Sequence, residues 1–528
     1  MNFNKKLAVA VSGAMLLMAG QFALADSATD IVDALVAKGV LTEEEGKLIT
    51  KGHTSKTKVT PVIKEKDGAF ILESANEANS IQLQGRMHLD YRTSNLDEQD
   101  IGAVRSDRDL ATLGDQFELR RARLGVKGKF AKDFKYEIVG NLPGTATVDV
   151  AYFDWAKYDG FQIRGGKFKQ PFGLEELISS NNMTMMERSY LDQTVPGKKI
   201  GMQIMGAPTK GLTYTLSTYQ HNDNERDLYG DGELSGAGRT TFNFAESMGE
   251  KERVMHVGLA ALNSTYSITG ASSSQTSSAA SETTRATISS FRSAGRGLNN
   301  VFRGQVGTGN CNTAAAGCVG EYGAKVTQRA VGLEGIYASG SFKLMGEYSR
   351  GQYKGDSLGV NNPLATTGTA GQVEYDTATG YMEAGYLLTG EKYADSYKGG
   401  VFSSFKPKNN FDIDNNQWGL LELALRLEEY QVDDIKMSGN SNNRVQGSLS
   451  SYSASGSNTS TTGTGVKATG KTYTAGIRWI LNPNLVFKAN YAHTRLGDNY
   501  NPIDTVASTA LTPINSESIV MTRLQYMF

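Results

Sequence analysis

Polar and apolar side chains alternate along residues 81–92, IQLQGRMHLDYR. Every second residue from Ile81 to Tyr91 is apolar or glycine, and every residue between them, from Gln82 to Arg92, is polar. Because successive side chains of a strand point to opposite faces, the pattern predicts a strand with one apolar and one polar face. A sheet of a soluble protein would give the same pattern, so this segment alone does not decide the fold.

The alternation recurs, between turn residues, to the end of the chain. The further segments are 117–130, 134–142, 147–158, 161–170, 199–206, 211–220, 253–262, 327–339, 341–350, 379–390, 418–430, 471–481, 485–494 and 516–528. Recurring strands of roughly ten residues are typical of transmembrane β-barrels. We therefore predict an all-β fold, a transmembrane antiparallel β-barrel over residues 67–528. In segment 147–158, Tyr152 and Phe153 cannot both face lipid without a bulge.

The first residues predict export. Lys5 and Lys6 precede an apolar run, and Ala23 and Ala25 supply the small residues of a cleavage site. This is the pattern of a secretory signal peptide over residues 1–25. The apolar run is shorter than the roughly 20 residues that a membrane-spanning helix needs.

Residues 26–66 have a different pattern from the segments that follow. Ile31 and Leu35 lie on one helical stripe that ends near Gly39, and Thr42 with Glu45 predicts a capping box for a second helix. A linker rich in Lys and Thr then begins near residue 51. We predict a short periplasmic helical hairpin with a linker, which is either a self-association element or a solvated tail.

Composition fits a barrel with polar loops. The 528 residues include 59 Gly, 24 Tyr and 20 Phe but only 10 Pro, with a mean hydropathy of −0.37 and a net charge of −1. This charge balance gives no polyelectrolyte character that would favour nucleic acid as a partner. Segments 263–325, 352–372 and 437–470 are rich in Ser, Thr and Gly and are predicted to be long outer loops. Arg285 and Arg296, in the first loop, are therefore expected to lie far from any constriction.

The two cysteines lie in one such loop. Cys311 and Cys318 are separated by small and polar residues, GNCNTAAAGC. An oxidising compartment and this spacing favour a disulfide, since a metal site would need further ligands and no His lies nearby. No cofactor or metal site is predicted.

One predicted strand carries a basic face. In RRARLGVKGK the odd positions Arg121, Arg123, Lys127 and Lys129 are basic, whereas the even positions from Ala122 onwards are apolar. We expect this basic face to line the lumen, where arginine forks suit phosphate. The alternative is that these cations only pair with lumen carboxylates such as Asp90, Glu118, Glu137 and Asp149.

The sequence offers no pattern typical of an enzyme. The five His residues lie on separate segments, and no nucleophile elbow, HExxH or phosphate-binding glycine loop is present. The predicted protein is therefore not an enzyme.

The last strand ends on an aromatic residue, Phe528, with Tyr526, Leu524 and Val520 on the same face. A terminal aromatic residue on an alternating strand resembles the targeting signal of outer-membrane barrels. It agrees with the predicted export.

Several motifs together resemble the phosphate-selective porin O and P family of Gram-negative outer membranes. They are KGVLTEEEG, FELRRARLGVKG, RGGKFKQPFGLEEL, MMERSYL, YLLTGEKY and WILNPNLVFKANYAHT. The resemblance implies a homotrimer of 16-stranded barrels in which the loop from PFGLEEL to MERSYL folds into the lumen. It also implies an anion-contacting role for five residues: Arg120, Arg121, Lys167, Lys169 and Arg188.

These observations predict an outer-membrane porin that forms a passive, anion-selective diffusion channel for phosphate or related anions. Its expected partners are small anions, the lipid bilayer with lipopolysaccharide, and two further copies of the chain. A general non-specific porin and an adhesin-type barrel acting through its long loops remain as alternatives.

Overall fold

The computed structural model describes residues 32, 35–38, 40–57, 60–66, 69–95, 115–221, 233–269, 285–298, 301–307, 323–358, 372–438, 444–446, 452–453, 461–462, 467–500 and 514–528. The predicted signal peptide and both cysteines lie outside these residues. Contacts divide the chain into two compact units, one of residues 1–66, 70–82 and 129–132 and one of residues 67–69, 83–128 and 133–528.

Most described residues are in β-strands. In chain order the strands are β1 Val62–Lys66, β2 Ala69–Glu73, β3 Ser80–Ser94, β4 Gln116–Phe130, β5 Phe134–Asn141, β6 Thr147–Tyr158, β7 Phe161–Lys169, β8 Lys198–Thr209, β9 Leu212–Gln220, β10 Ser235–Asn243, β11 Arg253–Thr269, β12 Arg285–Phe291, β13 Phe302–Gly307, β14 Gly323–Ser339, β15 Phe342–Leu358, β16 Gln372–Leu387, β17 Tyr397–Lys398, β18 Val401–Phe402, β19 Leu420–Ser438, β20 Arg444–Gln446, β21 Tyr452–Ser453, β22 Thr461–Thr462, β23 Ala468–Asn482, β24 Leu485–Tyr500 and β25 Ile514–Met527. The helices are α1 Glu43–Thr57, α2 Leu174–Leu177 and α3 Phe244–Ser247, with 3-10 turns at Tyr190–Thr194 and Tyr393–Ser396.

Sixteen of these strands form a closed antiparallel barrel, which confirms the predicted fold class. They are β3 to β11, β14 to β16, β19 and β23 to β25. The last strand, β25, pairs with the first, β3, so that Leu524 lies opposite Leu89 and Thr522 opposite Tyr91. Closure removes the free strand edges that would otherwise leave backbone groups unsatisfied in lipid.

Strand β19 shows why the pattern gives a barrel. Its polar residues Glu422, Arg426 and Glu428 are buried on the inner side. Leu423, Leu425 and Leu427 are exposed on the outer side, Leu425 by 66%. A helix would not separate the two sets in this way, because its side chains do not alternate with period two. The outward apolar face is the one that a barrel presents to lipid.

Strand β10 was absent from the predicted strands. It carries Ser, Gly and Thr at most positions, and its outward apolar side chain is Phe242. Pairing with β9 and β11 over its full length forms the strand despite this weak pattern.

The expectation that residues 263–325 are an outer loop throughout is wrong for its described parts. Strands β12 and β13 form a hairpin whose Phe291 and Phe302 are buried against Tyr375 and Tyr430 of the barrel wall. These apolar residues are spread too thinly among Ser, Thr and Gly for their pattern to predict a hairpin. The hairpin fills part of the inside of the barrel.

Residues 388–419 connect β16 to β19 at the end of the barrel that carries the short turns, and they include residues 393–411, whose side of the membrane the sequence does not indicate. The backbone N–H of Tyr393 donates to the carbonyl of Gly340, in the tight turn between β14 and β15, at 3.0 Å. Short turns are periplasmic in such barrels. Tyr393 and Phe402 are buried beside Leu174, so the segment folds inward from the periplasmic end.

The predicted capping box is present. The Thr42 amide donates to Glu45 at 2.9 Å, and the Glu45 amide donates to the Thr42 hydroxyl at 3.2 Å. Helix α1 then continues to Thr57, into the first part of the segment predicted to be a linker, and β1 forms the end of that segment. No helix among the described residues is long and apolar enough to cross a membrane.

Candidate functional site

Residues 170–197, the constriction loop, cross the interior of the barrel. Its α2 begins with the amides of Leu174 and Glu175 donating to the two carboxylate oxygens of Glu347 at 2.8 and 2.6 Å. On the far side, the amide of Tyr190 donates to Glu428 at 2.9 Å, and that of Met186 donates to Asn490 at 2.8 Å. Wall side chains therefore replace the backbone partners that an irregular segment lacks.

A buried charge cluster holds the middle of this loop. Glu187 accepts from Arg92 at 2.6 Å, from Arg523 at 3.1 Å and from Arg120 at 3.4 Å. Asp90 forms ion pairs with the same two arginines, Arg523 at 2.6 Å and Arg92 at 2.9 Å. Burial alone would raise the pKa of Glu187, but the arginines hold this pKa well below its usual range. Its charge is thus fixed at neutral pH.

Beside the loop lies a cavity of about 550 Å³ with a strongly basic lining. Its basic side chains are Arg86, Arg121, Arg123, Arg164, Lys169, Arg188, Lys198 and Arg239, whereas its acidic ones are Glu137 and Asp149. Three further carboxylates, Asp154, Glu176 and Glu334, bind lining cations and are themselves buried. The cavity surface therefore presents far more positive than negative charge.

Arg121 differs from its neighbours. Its side chain forms no ion pair or hydrogen bond with another described residue, and its Nη1 is buried without a partner. It lies in the field of Arg120, Arg523 and Arg188, which Glu187 offsets only in part. A buried donor without an acceptor is costly, and here an anion in the cavity would supply the acceptor.

The chain changes face at Arg120 and Arg121. Glu118 and Arg120 contact inner partners, whereas Leu119 between them is 46% exposed. From Arg121 onwards the odd residues lie inside, and Leu124 lies outside with 42% exposure. Strict alternation would place one of the two arginines in lipid. The predicted basic face of odd-numbered residues therefore lies on the inner side only in the second part of β4.

Arg123 and Lys198 share Asp149, at 2.9 and 2.5 Å. Asp149 is the extra residue of a bulge in β6, because Val139 pairs with Val150 and Gly140 with Val148. Beyond the bulge Tyr152 faces the cavity and Phe153 is 58% exposed on the outside. The bulge thus brings Asp149 to the inner side, and Tyr152 and Phe153 do not share a face.

Arg188 and Lys169 line the cavity but also fasten the loop. Arg188 donates to the carbonyls of Glu175, Glu176 and Ile178 at 2.9 to 3.1 Å and pairs with the Glu176 carboxylate at 2.5 Å. Lys169 donates to the carbonyls of Glu176 and Ile178. Both cations therefore meet the unsatisfied carbonyls at the end of α2.

Four of the predicted pathway residues do not line this cavity, and one of them is Arg120, which pairs with Glu187. Lys129 pairs with Glu73 at 3.0 Å. Lys127 is half-buried in β4, and Lys167 is half-buried in β7 opposite Ala151. Their predicted role in an anion pathway would lie outside the cavity.

The structure adds basic residues that the predicted set omitted. Arg86 donates to Ser179 and Ser180 on the constriction loop, and Arg239 belongs to the unpredicted strand β10. Arg296 lies at the turn of the inner hairpin, with its Nη1 3.5 Å from Glu118, so its expected position far from the constriction is wrong. The polar face of segment 81–92 already contained Arg86, but the pattern carried no signal for Arg296.

The sequence of this chain is similar to those of known proteins. The family model described as "Phosphate-selective porin O and P" matches residues 81–528. Porin O of Pseudomonas aeruginosa is 26% identical over 480 residues, covering 88% of this chain and 92% of that protein.

Solved structures include similar barrels at low identity. OmpT of Vibrio cholerae aligns with a TM-score of 0.46 at 10% identity, over 85% of this chain and 98% of that one. The anion-selective porin of Comamonas acidovorans aligns with a TM-score of 0.40 at 11% identity, over 85% and 100%. The family match covers most of the chain, and the chain therefore belongs to the phosphate-selective porin O and P family, whose members are channels of the Gram-negative outer membrane.

Proposed function

We propose that this porin is a passive, anion-selective channel for phosphate or related anions, and that anions pass through the basic cavity beside the constriction loop. The observation that carries the proposal is Arg121, whose Nη1 is buried without an acceptor among the described residues, in a cavity lined by eight basic side chains.

The charge distribution supports weak, exchangeable binding. Arg121 and Arg86 face the cavity without an ion pair among the described residues, whereas Arg123, Lys198 and Arg188 keep a carboxylate. Conduction requires sites that attract an ion but release it again. Paired cations of this kind attract an anion less strongly than free ones, and a low-dielectric wall focuses the field of the unpaired ones.

Arginine favours oxyanions over chloride. Its planar fork donates two parallel hydrogen bonds to two oxygens of a phosphate, whereas a spherical halide accepts without directional preference. The hydroxyls of Ser179 and Ser180 also line the cavity and can donate to the same anion. Phosphate and related oxyanions are thus the substrate class that this lining fits.

A general porin is the second candidate, and a specific observation favours it. Arg164 pairs with Asp154 at 2.7 Å, and Arg239 pairs with Glu334 at 2.5 Å, so part of the positive lining is neutralised locally. If this held for the whole pathway, small cations would pass nearly as well as anions. Arg121 and Arg86 are the residues that distinguish the two candidates.

The proposal includes the remaining expectations from the sequence. Residues 1–25 would be removed on export, residues 26–66 would form the periplasmic segment, and residues 67–528 would form the channel domain. We also propose that the channel is a homotrimer and has no catalytic activity.

Zero-current potentials of the purified protein in a planar bilayer test the proposal. In a gradient of potassium chloride, the zero-current potential of an anion channel approaches the equilibrium potential of chloride. Added phosphate should reduce the chloride current. A potential near zero would favour the general porin, and a bilayer without conductance would favour an adhesin-type barrel.

A further inference from the structure

The outer surface of the barrel, away from the lumen, carries a cleft of about 620 Å³ between β11, β14, β15 and β16. Arg329 Nε donates to Asn263 Oδ1 at 3.3 Å, and Arg350 Nη2 donates to Asp376 Oδ2 at 3.2 Å. These partners lie on β11 and β16, on opposite sides of the two arginine strands. The guanidinium groups therefore lean apart, and the cleft lies between them.

The strand register places this cleft at the edge of the apolar belt. One outward row across the four strands is polar, the next is mixed, and the third is mostly apolar. These rows are Asn263, Arg329, Gln352 and Asp376; Ala261, Val331, Arg350 and Ala378; and Leu259, Leu333, Tyr348 and Gly380. The polar row lies toward the long connections 270–284 and 359–371, which is the outer side of such barrels. Exposed Tyr348 fits the aromatic girdle expected at that boundary.

We propose that this cleft binds lipopolysaccharide of the outer leaflet, with a lipid phosphate between Arg329 and Arg350 and an acyl chain against Ala261 and Val331. Among the contacts of the described residues, Arg329 uses only Nε and Arg350 only Nη2, and both side chains are exposed, so their other N–H groups are available to a ligand outside the protein. The two residues are diagonal neighbours, with backbones roughly 7–8 Å apart, which lets both side chains reach one phosphate.

The nearby carboxylates do not block this arrangement. Asp376 accepts from Arg350 and from Gln352, which offsets its charge. Its carboxylate also lies within 4.8 Å of those of Asp433 and Asp434. A divalent cation bridging these acids to a phosphate would be a different mode of binding, so the test must exclude it.

The test uses the full-length protein in detergent and measures binding of bisphosphorylated lipid A by native mass spectrometry, with a chelator present. Changing Arg329→Ala and Arg350→Ala together should weaken binding at least about tenfold, since two charged hydrogen-bond donors are lost. The double change to Lys should retain part of the affinity. Arg253→Ala removes an exposed arginine at the opposite end of β11, and this variant should bind lipid A like the wild type.

Single-channel conductance of each variant serves as the folding control, because outward residues do not alter the lumen. Equal affinity of the double Ala variant and the wild type would overturn the proposal. The proposal would also be overturned if the wild type bound lipid A without phosphates as well as bisphosphorylated lipid A. It would likewise be overturned if the wild type bound lipid A only in the absence of the chelator. A changed oligomeric state of the double Ala variant with unchanged lipid binding would assign the cleft to a contact between copies instead.

Discussion

Arg120 and Arg121 are consecutive in β4 and both lie on the inner side of the barrel, but of the two only Arg120 meets a carboxylate. Arg120 Nε lies 3.4 Å from Glu187, whereas Arg121 has no acceptor among the described residues. A paired arginine stabilises the constriction loop, and an unpaired one can attract a passing anion. In the proposed channel, the two residues would thus separate the structural from the conducting role of the lumen charges.

Glu187→Gln should loosen the constriction loop. Without this carboxylate, Arg92 and Arg120 lose their ion pairs on the loop, and breaking a buried pair costs about 3 to 5 kcal/mol. We expect stronger current noise in single channels. We also expect the folded barrel to unfold, and so to change its migration on SDS gels, at a lower temperature.

Glu118→Gln is the matched control, because Glu118 is partly exposed and pairs with Arg296 at 3.5 Å and with Arg92 only at 3.8 Å, whereas Glu187 pairs with Arg92 at 2.6 Å. It should leave the noise near the wild-type level. Because the pKa of Glu187 is held well below 4.5, lowering the pH from 7 to about 5 should not imitate the substitution. Quiet channels in the Glu187→Gln variant would contradict the anchoring role.

Arg296→Glu should reduce anion preference measurably. Arg296 lies at the turn of the inner hairpin beside Glu118, where a second carboxylate would repel an approaching anion. The ratio of chloride to potassium permeability in a planar bilayer should fall. Arg292→Glu, four residues earlier and exposed, is the control and should change this ratio less. Equal permeability ratios for the Arg296→Glu variant and the wild type would contradict a role of Arg296 in anion preference.

Much of the fold could be predicted because period two is a local property of the chain. Segment 147–158 coincides with β6, and segment 485–494 lies within the longer β24. Strand β10 could not be predicted because its outward positions are mostly Gly and Thr, so that only pairing with its neighbours defines it. The inner hairpin could not be predicted for a related reason. Phe291 and Phe302 are buried by wall residues that are distant in sequence, and no local pattern indicates these contacts.

Gly166→Ala should destabilise the barrel. Gly166 has a φ of 130°, and a Cβ there would lie 2.2 Å from the carbonyl oxygen of Ala151. Strain in such a backbone region costs about 1–3 kcal/mol, and urea unfolding in detergent should show a lower midpoint. Gly140→Ala is the control, since its Cβ would meet its nearest atom at 3.8 Å. An unchanged midpoint for Gly166→Ala would mean that β7 shifts without cost.

Cys311 and Cys318 should be joined by a disulfide, which stays a prediction because both lie outside the described residues. Alkylation without reductant followed by intact-mass measurement should detect no modified thiol. Alkylation after reduction is the control and should modify both residues. Two alkyl groups on the unreduced, folded protein would contradict the disulfide.

The site could be predicted less completely than the fold. The basic face of β4 indicated Arg121 and Arg123, but alternation does not show which cation meets a carboxylate. Asp149 reaches Arg123 only because a bulge turns it inward, and Glu187 reaches Arg120 only because the loop crosses the barrel. Pairing of this kind depends on contacts between residues that are distant in sequence.

The central claim is that Arg121 attracts the permeating anion, and the reversal potential of Arg121→Glu in asymmetric potassium chloride tests it most directly. Charge reversal next to a permeating ion changes its energy by about 1 to 2 kcal/mol even with water-like screening, so we expect chloride preference to fall at least about fivefold. Arg121→Lys should keep most of the preference but weaken the block by phosphate, because a lysine cannot donate bidentately. Arg350→Glu, on the outer surface, is the matched control and should leave the potential unchanged. A reversal potential of Arg121→Glu equal to that of the wild type would contradict the account and support a general porin with paired lumen charges.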